Sequence, residues 1–158
     1  MPNDDKFGFG RILDSFAKAK NEIPILIANK TQNYFAQSWQ TQSWDGQKWP
    51  EVKRRQEGTN EYKYPKNKGL GRRTRAILVQ SGALRRAVQN SIRQATFNKV
   101  HLVIPLDYAG IHNFGGEGLA FGKHRFMMPK RQYMGQTDAL TVIQKEVITS
   151  NISKIWPE

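Results

Sequence analysis

Three histidines, His101, His112 and His124, are the first side chains to weigh for metal or acid–base chemistry. Their spacings of 11 and 12 residues match neither a helical ligand pair nor a zinc knuckle. Cysteine is absent, which excludes thiolate metal sites, cysteine nucleophiles and disulfides together. Carboxylates would have to complete a metal site, yet Asp107 and Glu117 are the only acids between residues 62 and 137. No metal and no cofactor is therefore expected. The run Gly115-Gly116-Glu117-Gly118-Leu119-Ala120-Phe121-Gly122-Lys123 invites comparison with a phosphate-binding loop. It departs from GxxxxGK[ST] at both ends, with Glu117 at the first glycine position and His124 at the hydroxyl position, and reads as a flexible surface loop. Ser81 lacks a GxSxG elbow and has no His or Asp nearby in sequence, so hydrolase chemistry finds no partner set. These residue types give no positive sign of catalysis, and the protein is not expected to be an enzyme.

Charge is the stronger signal. With 25 Lys and Arg against 13 Asp and Glu, the 158-residue chain carries a net +12 and an isoelectric point near 10.1. That balance favours an anionic partner without choosing among nucleic acid, membrane surface and acidic protein. The excess is localised: residues 48–86 hold twelve cations and three acids, and residues 123–135 hold four cations and no acid. Residues 1–47 and 87–122 are each neutral. Few aliphatics and the glycines and proline between Val52 and Gly71 mark residues 50–73 as a basic extended loop or arm, and such a long loop in a compact domain is usually functional or disordered. Its candidate contacts are Lys53, Arg54, Arg55, Arg72, Arg73 and Arg75.

Length sets one domain over residues 1–158, and 38% hydrophobic residues suffice for a modest core. The longest apolar stretch, Ile23–Ala28, is interrupted by Pro24 and falls far short of the about 20 residues that span a bilayer. Acids among residues 1–22 argue against a signal peptide, so a soluble protein of a reducing cytoplasm is expected, with no membrane partner.

Periodicity places helices at Ile12–Ala19, with Leu13, Phe16 and Ala17 on one face, and from Pro24 to about Gln37, burying Ile27, Thr31, Tyr34 and Phe35. Trp39, Trp44 and Trp49 recur every five residues, which fits neither helix nor strand. Core anchoring of a turn-rich segment is the plainer reading of these indoles, and a base-stacking platform the sharper one. Ser81 caps a helix carrying Leu84 and Val88, and a hairpin joins Ile92–Phe97 to Val100–Ile104 around Asn98-Lys99. A short helix covers Asp107–Phe114, Arg125–Met128 form a strand, and a helix from Thr137 to about Ile155 carries a stripe of Leu140, Ile143, Val147, Ile148, Ile152 and Ile155. The fold class is α+β: a small antiparallel sheet packed by N-terminal and C-terminal helices, with a long basic loop.

Three blocks stand out in order: Ile77-Leu78-Val79-Gln80-Ser81-Gly82-Ala83-Leu84-Arg85, then Tyr108-Ala109-Gly110-Ile111-His112-Asn113-Phe114-Gly115, then Pro129-Lys130-Arg131-Gln132-Tyr133-Met134-Gly135. Together they resemble the signature of the phage virion morphogenesis proteins, the Mu-type tail completion family. The matching positions are Leu78, Ser81, Gly82 and Leu84; Tyr108, His112 and Gly115; and Pro129, Arg131 and Gly135, with Asn33, Phe35, Gly46 and Trp49 fitting a looser upstream pattern. Lys130 stands where a small residue is usual, and the basic loop from 53 to 73 is longer than expected.

The resemblance implies a structural virion protein at the junction of head and tail, in the neck, completing the tail tube or its connector as a homo-oligomeric ring, expected to be a hexamer. Neighbouring connector and tail tube proteins would be its partners. Physically, Tyr108 and His112 share a helix face, Pro129 fixes a bend and Arg131 offers a fork for a carboxylate. These contacts can define the fold within one subunit or join subunits. The basic strips would reach either phage DNA in the lumen or an acidic neighbour. The alternative from another class is a non-specific nucleic-acid-binding protein acting through its basic loop and aromatics.

Overall fold

The computed structural model describes residues 8–64, 74–120 and 122–156. Arg72 and Arg73, with the rest of 65–73, lie outside the described residues. The chain forms two compact units: residues 1–34, 91–103 and 136–158 make the first, and residues 35–90 and 104–135 the second.

Helix α1 (Phe9–Thr41) begins in the first unit and ends in the second. Where the sequence predicts two helices, the structure has one, with Pro24 inside it. A proline within a helix removes a backbone hydrogen bond and crowds the preceding turn, at a cost of about 3 kcal/mol. Here its ring is buried on a continuous stripe of Pro24, Ala28, Thr31, Phe35, Ser38 and Trp39, and burial along this stripe offsets that cost. Leu13, Phe16 and Ala17, expected to face the core, are exposed. Partial burial instead falls on Ile12, Ser15, Ala19 and Ile23, a three-and-four series displaced to a neighbouring face.

The rest of the first unit is a hairpin and the C-terminal helix. Strands β3 (Ile92–Thr96) and β4 (Lys99–Leu102) pair antiparallel around Phe97-Asn98, one residue earlier than predicted, and Ser91 extends the pairing by accepting from the Val103 amide at 2.7 Å. Helix α5 (Asp138–Ile152) starts at Thr137 as predicted, because the Thr137 hydroxyl accepts from the Leu140 amide at 3.1 Å. The same hydroxyl meets the Tyr34 hydroxyl at 2.9 Å, and Gln144 donates to the Thr31 hydroxyl at 3.1 Å. These two side-chain bonds tie α5 to α1 inside the unit. Of the predicted α5 stripe, Leu140 and Ile155 are buried, Ile143 and Val147 half-buried, and Ile148 and Ile152 exposed.

In the second unit, β1 (Ser43–Trp44) and β2 (Gln47–Lys48) pair across a two-residue turn. Asp45 and Gly46 both take positive φ, 48° and 78°, the conformation that an Asp-Gly hairpin turn requires. This turn explains the five-residue tryptophan spacing. It folds Trp44 back on Phe35, ring centroids 5.9 Å apart, and sets Trp49 edge-on to Trp39 at 5.7 Å. All three indoles are buried, so they anchor the core and offer no stacking platform. A 3-10 turn (Lys53–Arg55) and a one-turn helix α2 (Asn60–Lys63) follow. Helix α3 (Ala83–Gln89) buries Leu84 and Val88, and α4 (Ala109–Phe114) buries Ala109 and Asn113.

The glycine-rich run predicted as a flexible loop is largely a strand: β5 (Gly116–Ala120) pairs antiparallel with β6 (His124–Met128). Gly118 suits the strand because its cross-strand neighbour Phe126 comes so close. A Cβ on Gly118 would lie 2.4 Å from the Phe126 ring. The architecture is α+β with antiparallel pairing and helices toward both termini. Among the described residues the strands form three two-stranded pairs rather than one sheet.

Leu84 is 4% exposed, and its truncation to alanine is expected to cost about 2–5 kcal/mol in denaturant unfolding. A loss below about 1 kcal/mol would show that α3 contributes little to the core.

Candidate functional site

The second unit contains a recess of about 410 Å³ lined by residues of all three signature blocks. Leu78, Ser81, Gly82 and Leu84 come from the first block, Tyr108 and His112 from the second, and Arg131 from the third, with Val52 and Arg54 from the basic strip. The main chain of the first block is shaped for this wall. Leu78 takes a left-handed φ of 56°, which costs a branched L-residue about 1–2 kcal/mol. Gly82, at φ 77°, then starts α3. Ser81 sits one position ahead of that cap and accepts from the Ala83 amide at 3.3 Å, so the cap lies one residue later than predicted.

The second and third blocks are held together by one buried side chain. The Asn113 Oδ1 accepts from the Tyr133 and Met134 amides, at 3.0 and 3.1 Å. Its Nδ2 donates to the Met134 carbonyl at 3.1 Å. Around this clamp the Arg131 amide donates to the His112 carbonyl at 2.9 Å and the Tyr133 hydroxyl to the Ala109 carbonyl at 2.9 Å. Burial, and then the nearby Tyr108, push the Tyr133 phenol up from 10.0 to about 12, so it remains a donor at any ordinary pH. The Tyr133 ring also packs on Trp39 at 5.0 Å, and Trp49 Nε1 donates to the Gln132 carbonyl at 2.6 Å. Gly115 is required here. At φ 71°, a Cβ would come within 2.8 Å of the Lys130 nitrogen and 3.0 Å of the Met128 carbonyl oxygen, both main-chain atoms that cannot yield.

Arg131 is 7% exposed. Its fork goes to main chain rather than to a carboxylate: Nε donates to the Pro50 carbonyl at 3.0 Å and Nη2 to the Glu51 carbonyl at 3.4 Å. Arg54 donates to the Arg75 and Ala76 carbonyls at 2.9 and 3.1 Å, and Arg55 to the Arg75 carbonyl at 2.5 Å. The strip's two ends are thereby joined, 53–55 against 74–76. Lys53 is exposed and pairs with Glu61 at 3.9 Å. Burial lowers the pKa of Arg54 and of Arg131, and for Arg54 the positive neighbours Arg55 and Arg75 add to the effect. The remaining predicted positions lie elsewhere: Trp49 in the core, Pro129 exposed after β6, and Gly135 beside the Gln132 side chain.

His112 stacks edge-on with Tyr108, centroids 5.8 Å apart, and its Nδ1 is buried without a hydrogen-bond partner. Burial, and then the Arg131 charge, hold its pKa below the usual 6.5, so the ring is neutral near pH 7. Among the described residues no group of three or more His, Cys, Asp or Glu side chains is placed to hold a metal ion, and no helix is long and apolar enough to cross a membrane. Asn113 and Tyr133 brace this site; both lie inside the signature blocks, though neither is among the predicted site residues. The available signal was a carboxamide between His112 and Phe114 in a short helix.

Two outcomes follow from this geometry. Asn113→Ala strips the acceptor from two main-chain amides and is expected to cost about 3 kcal/mol or more, read by denaturant unfolding; a change within about 0.5 kcal/mol would mean the clamp is dispensable. Because the folded His112 binds a proton less readily than the unfolded chain, stability should be full above about pH 6.5 and fall as pH drops toward the lowered folded value. The thermal midpoint should therefore fall between about pH 7.5 and about pH 5.5 by more in the native chain than in His112→Gln, and parallel profiles would contradict this.

No curated protein and no solved structure matches the chain. Residues 14–152, which include all three blocks, the clamp and the recess, match the family model of the phage virion morphogenesis family, and the chain belongs to that family.

Proposed function

We propose that the protein is a structural subunit of the neck of a tailed phage, of the Mu tail completion type, closing the tail tube or its connector as a ring of six copies. Membership of a virion morphogenesis family supports a structural role in the virion. The observation that carries the finer reading is the convergence of Leu78, Ser81, Gly82, Tyr108, His112 and Arg131 on one recess, which ties the family's ordered blocks to one built surface feature. Exposed apolar side chains support subunit contact: Leu13, Phe16 and Ile25 on α1, and Leu119 and Met127 on the β5–β6 hairpin, since such surface side chains mark association sites when they cluster.

The basic strip is read as contacting an acidic neighbour rather than lumen DNA. Tight phosphate binding along a conduit would hinder passage of DNA. The alternative of a free nucleic-acid-binding protein is weakened, because the tryptophans that would stack bases are committed to the core.

Native mass measurement on the purified full chain, alone and mixed with the tail tube subunit, tests the ring. A discrete closed oligomer in at least one of the two samples is expected. A persistent monomer in both would overturn the reading.

A further inference from the structure

We propose that the recess of the second unit receives an acidic side chain of a neighbouring protein, a glutamate or aspartate borne on a segment with aliphatic neighbours. Among the described residues no acid lines the recess, while Arg54 and Arg131 do. Arg131 is almost fully buried. Its Nε and Nη2 are bonded to carbonyls, and among the described residues Nη1 has no bonded partner and no carboxylate lies within ion-pair distance. Glu51, the acid whose charge reaches both arginines, is already engaged, accepting from the Val52 amide at 2.8 Å and pairing with Arg55 at 3.4 Å. Arg54 thus lies in the field of three further guanidinium groups, Arg55, Arg75 and Arg131, with the Glu51 charge opposing them.

A buried cation whose neighbouring acid is engaged elsewhere is costly to hold, and an incoming carboxylate would add negative charge through charge-assisted hydrogen bonds. The other lining side chains decide what kind of anion enters. Val52, Leu78, Val79 and Leu84 give the recess an apolar wall, which suits the methylenes of an acidic side chain and an adjoining aliphatic residue. The hydroxyls of Ser81 and Tyr108 add polar contacts at the same wall. A volume of about 410 Å³ lies within the range of about 300–1,000 Å³ of preformed ligand sites and admits one side chain with its flanks. Duplex phosphates, carried on the convex outside of a wide rod, do not reach into such a concavity.

The source of the segment, a connector or tail tube protein, rests on the proposed neck assignment; the preference for a carboxylate does not. The test uses the purified full chain and a fluorescent peptide of alternating glutamate and leucine, with a glutamine–leucine peptide, inorganic phosphate and a short DNA duplex as competitors. The glutamate peptide should bind roughly tenfold or more tightly than its glutamine counterpart. Its amide shifts in a nitrogen–proton correlation spectrum should map to residues 78–84, 108–112 and 131. Arg54→Gln should weaken it by a similar factor, and the pair Lys123→Gln and Lys130→Gln, outside the recess, should not.

Equal binding of the two peptides, shifts that map elsewhere, or a duplex or phosphate that displaces the peptide more effectively than unlabelled peptide would each overturn the proposal. If Arg54→Gln fails to fold, the shift map of the native chain decides alone. Peptide binding by a chain that never oligomerises would overturn the neck assignment only, and a ring indifferent to the peptide would overturn the recess only.

Discussion

The carboxamide of Asn113 is the interaction on which the second unit depends. It is buried, and a buried amide is tolerated only when its donors and acceptors are met. Here Oδ1 accepts two successive main-chain amides, from Tyr133 and Met134, and Nδ2 returns a bond to the Met134 carbonyl. The strip 131–134 belongs to no ladder, so its backbone groups need partners from side chains. Asn113 provides them from a six-residue helix. Everything that shapes the recess on that side follows, because once the strip is fixed the Arg131 side chain is aimed at the carbonyls of residues 50 and 51, and Trp49 closes on Gln132.

The charge of the chain takes on a different meaning in this setting. A net +12 looks like a general affinity for polyanions. In the second unit, Arg54, Arg55 and Arg131 are instead structural cations that satisfy main-chain carbonyls. Their charge remains after those hydrogen bonds are made, concentrated beside an apolar wall rather than spread over a face. Concentration of this kind favours recognition of a discrete acidic group, whereas a diffuse basic surface favours non-specific phosphate contacts. Lys53, exposed and paired with Glu61 at 3.9 Å, belongs to the diffuse kind, and exposed pairs of this sort contribute little.

Much of the fold was legible because local chemistry decided it. Thr137 announces α5 by its cap, the Gly115-Gly116 pair ends α4, and branched residues mark β4. Failures came where tertiary burial overrode local signals. Pro24 reads as a helix start, yet the buried stripe through it keeps α1 continuous. The glycines of 115–122 read as a loop, yet residues 116–120 pair as a strand, with Phe126 too close to Gly118, and Lys130 too close to Gly115, for a Cβ. The five-residue tryptophan spacing, by contrast, reads correctly as a turn-rich segment anchored by its indoles, and the Asp45-Gly46 turn is what reverses the chain there. The candidate site was legible as three separate blocks. Their convergence was not, since nothing in the spacing of Ser81, His112 and Arg131 tells that one asparagine clamps the last two blocks together.

Native-state hydrogen exchange at the Tyr133 and Met134 amides probes the clamp most directly. Both amides bond to a side chain rather than to a regular ladder, so nothing else in the local backbone should slow them. Exchange only at the rate of global unfolding, with the protection lost in Asn113→Ala, is expected if this carboxamide organises the unit. Exchange as fast as that of the exposed turn at Phe97-Asn98 would contradict it.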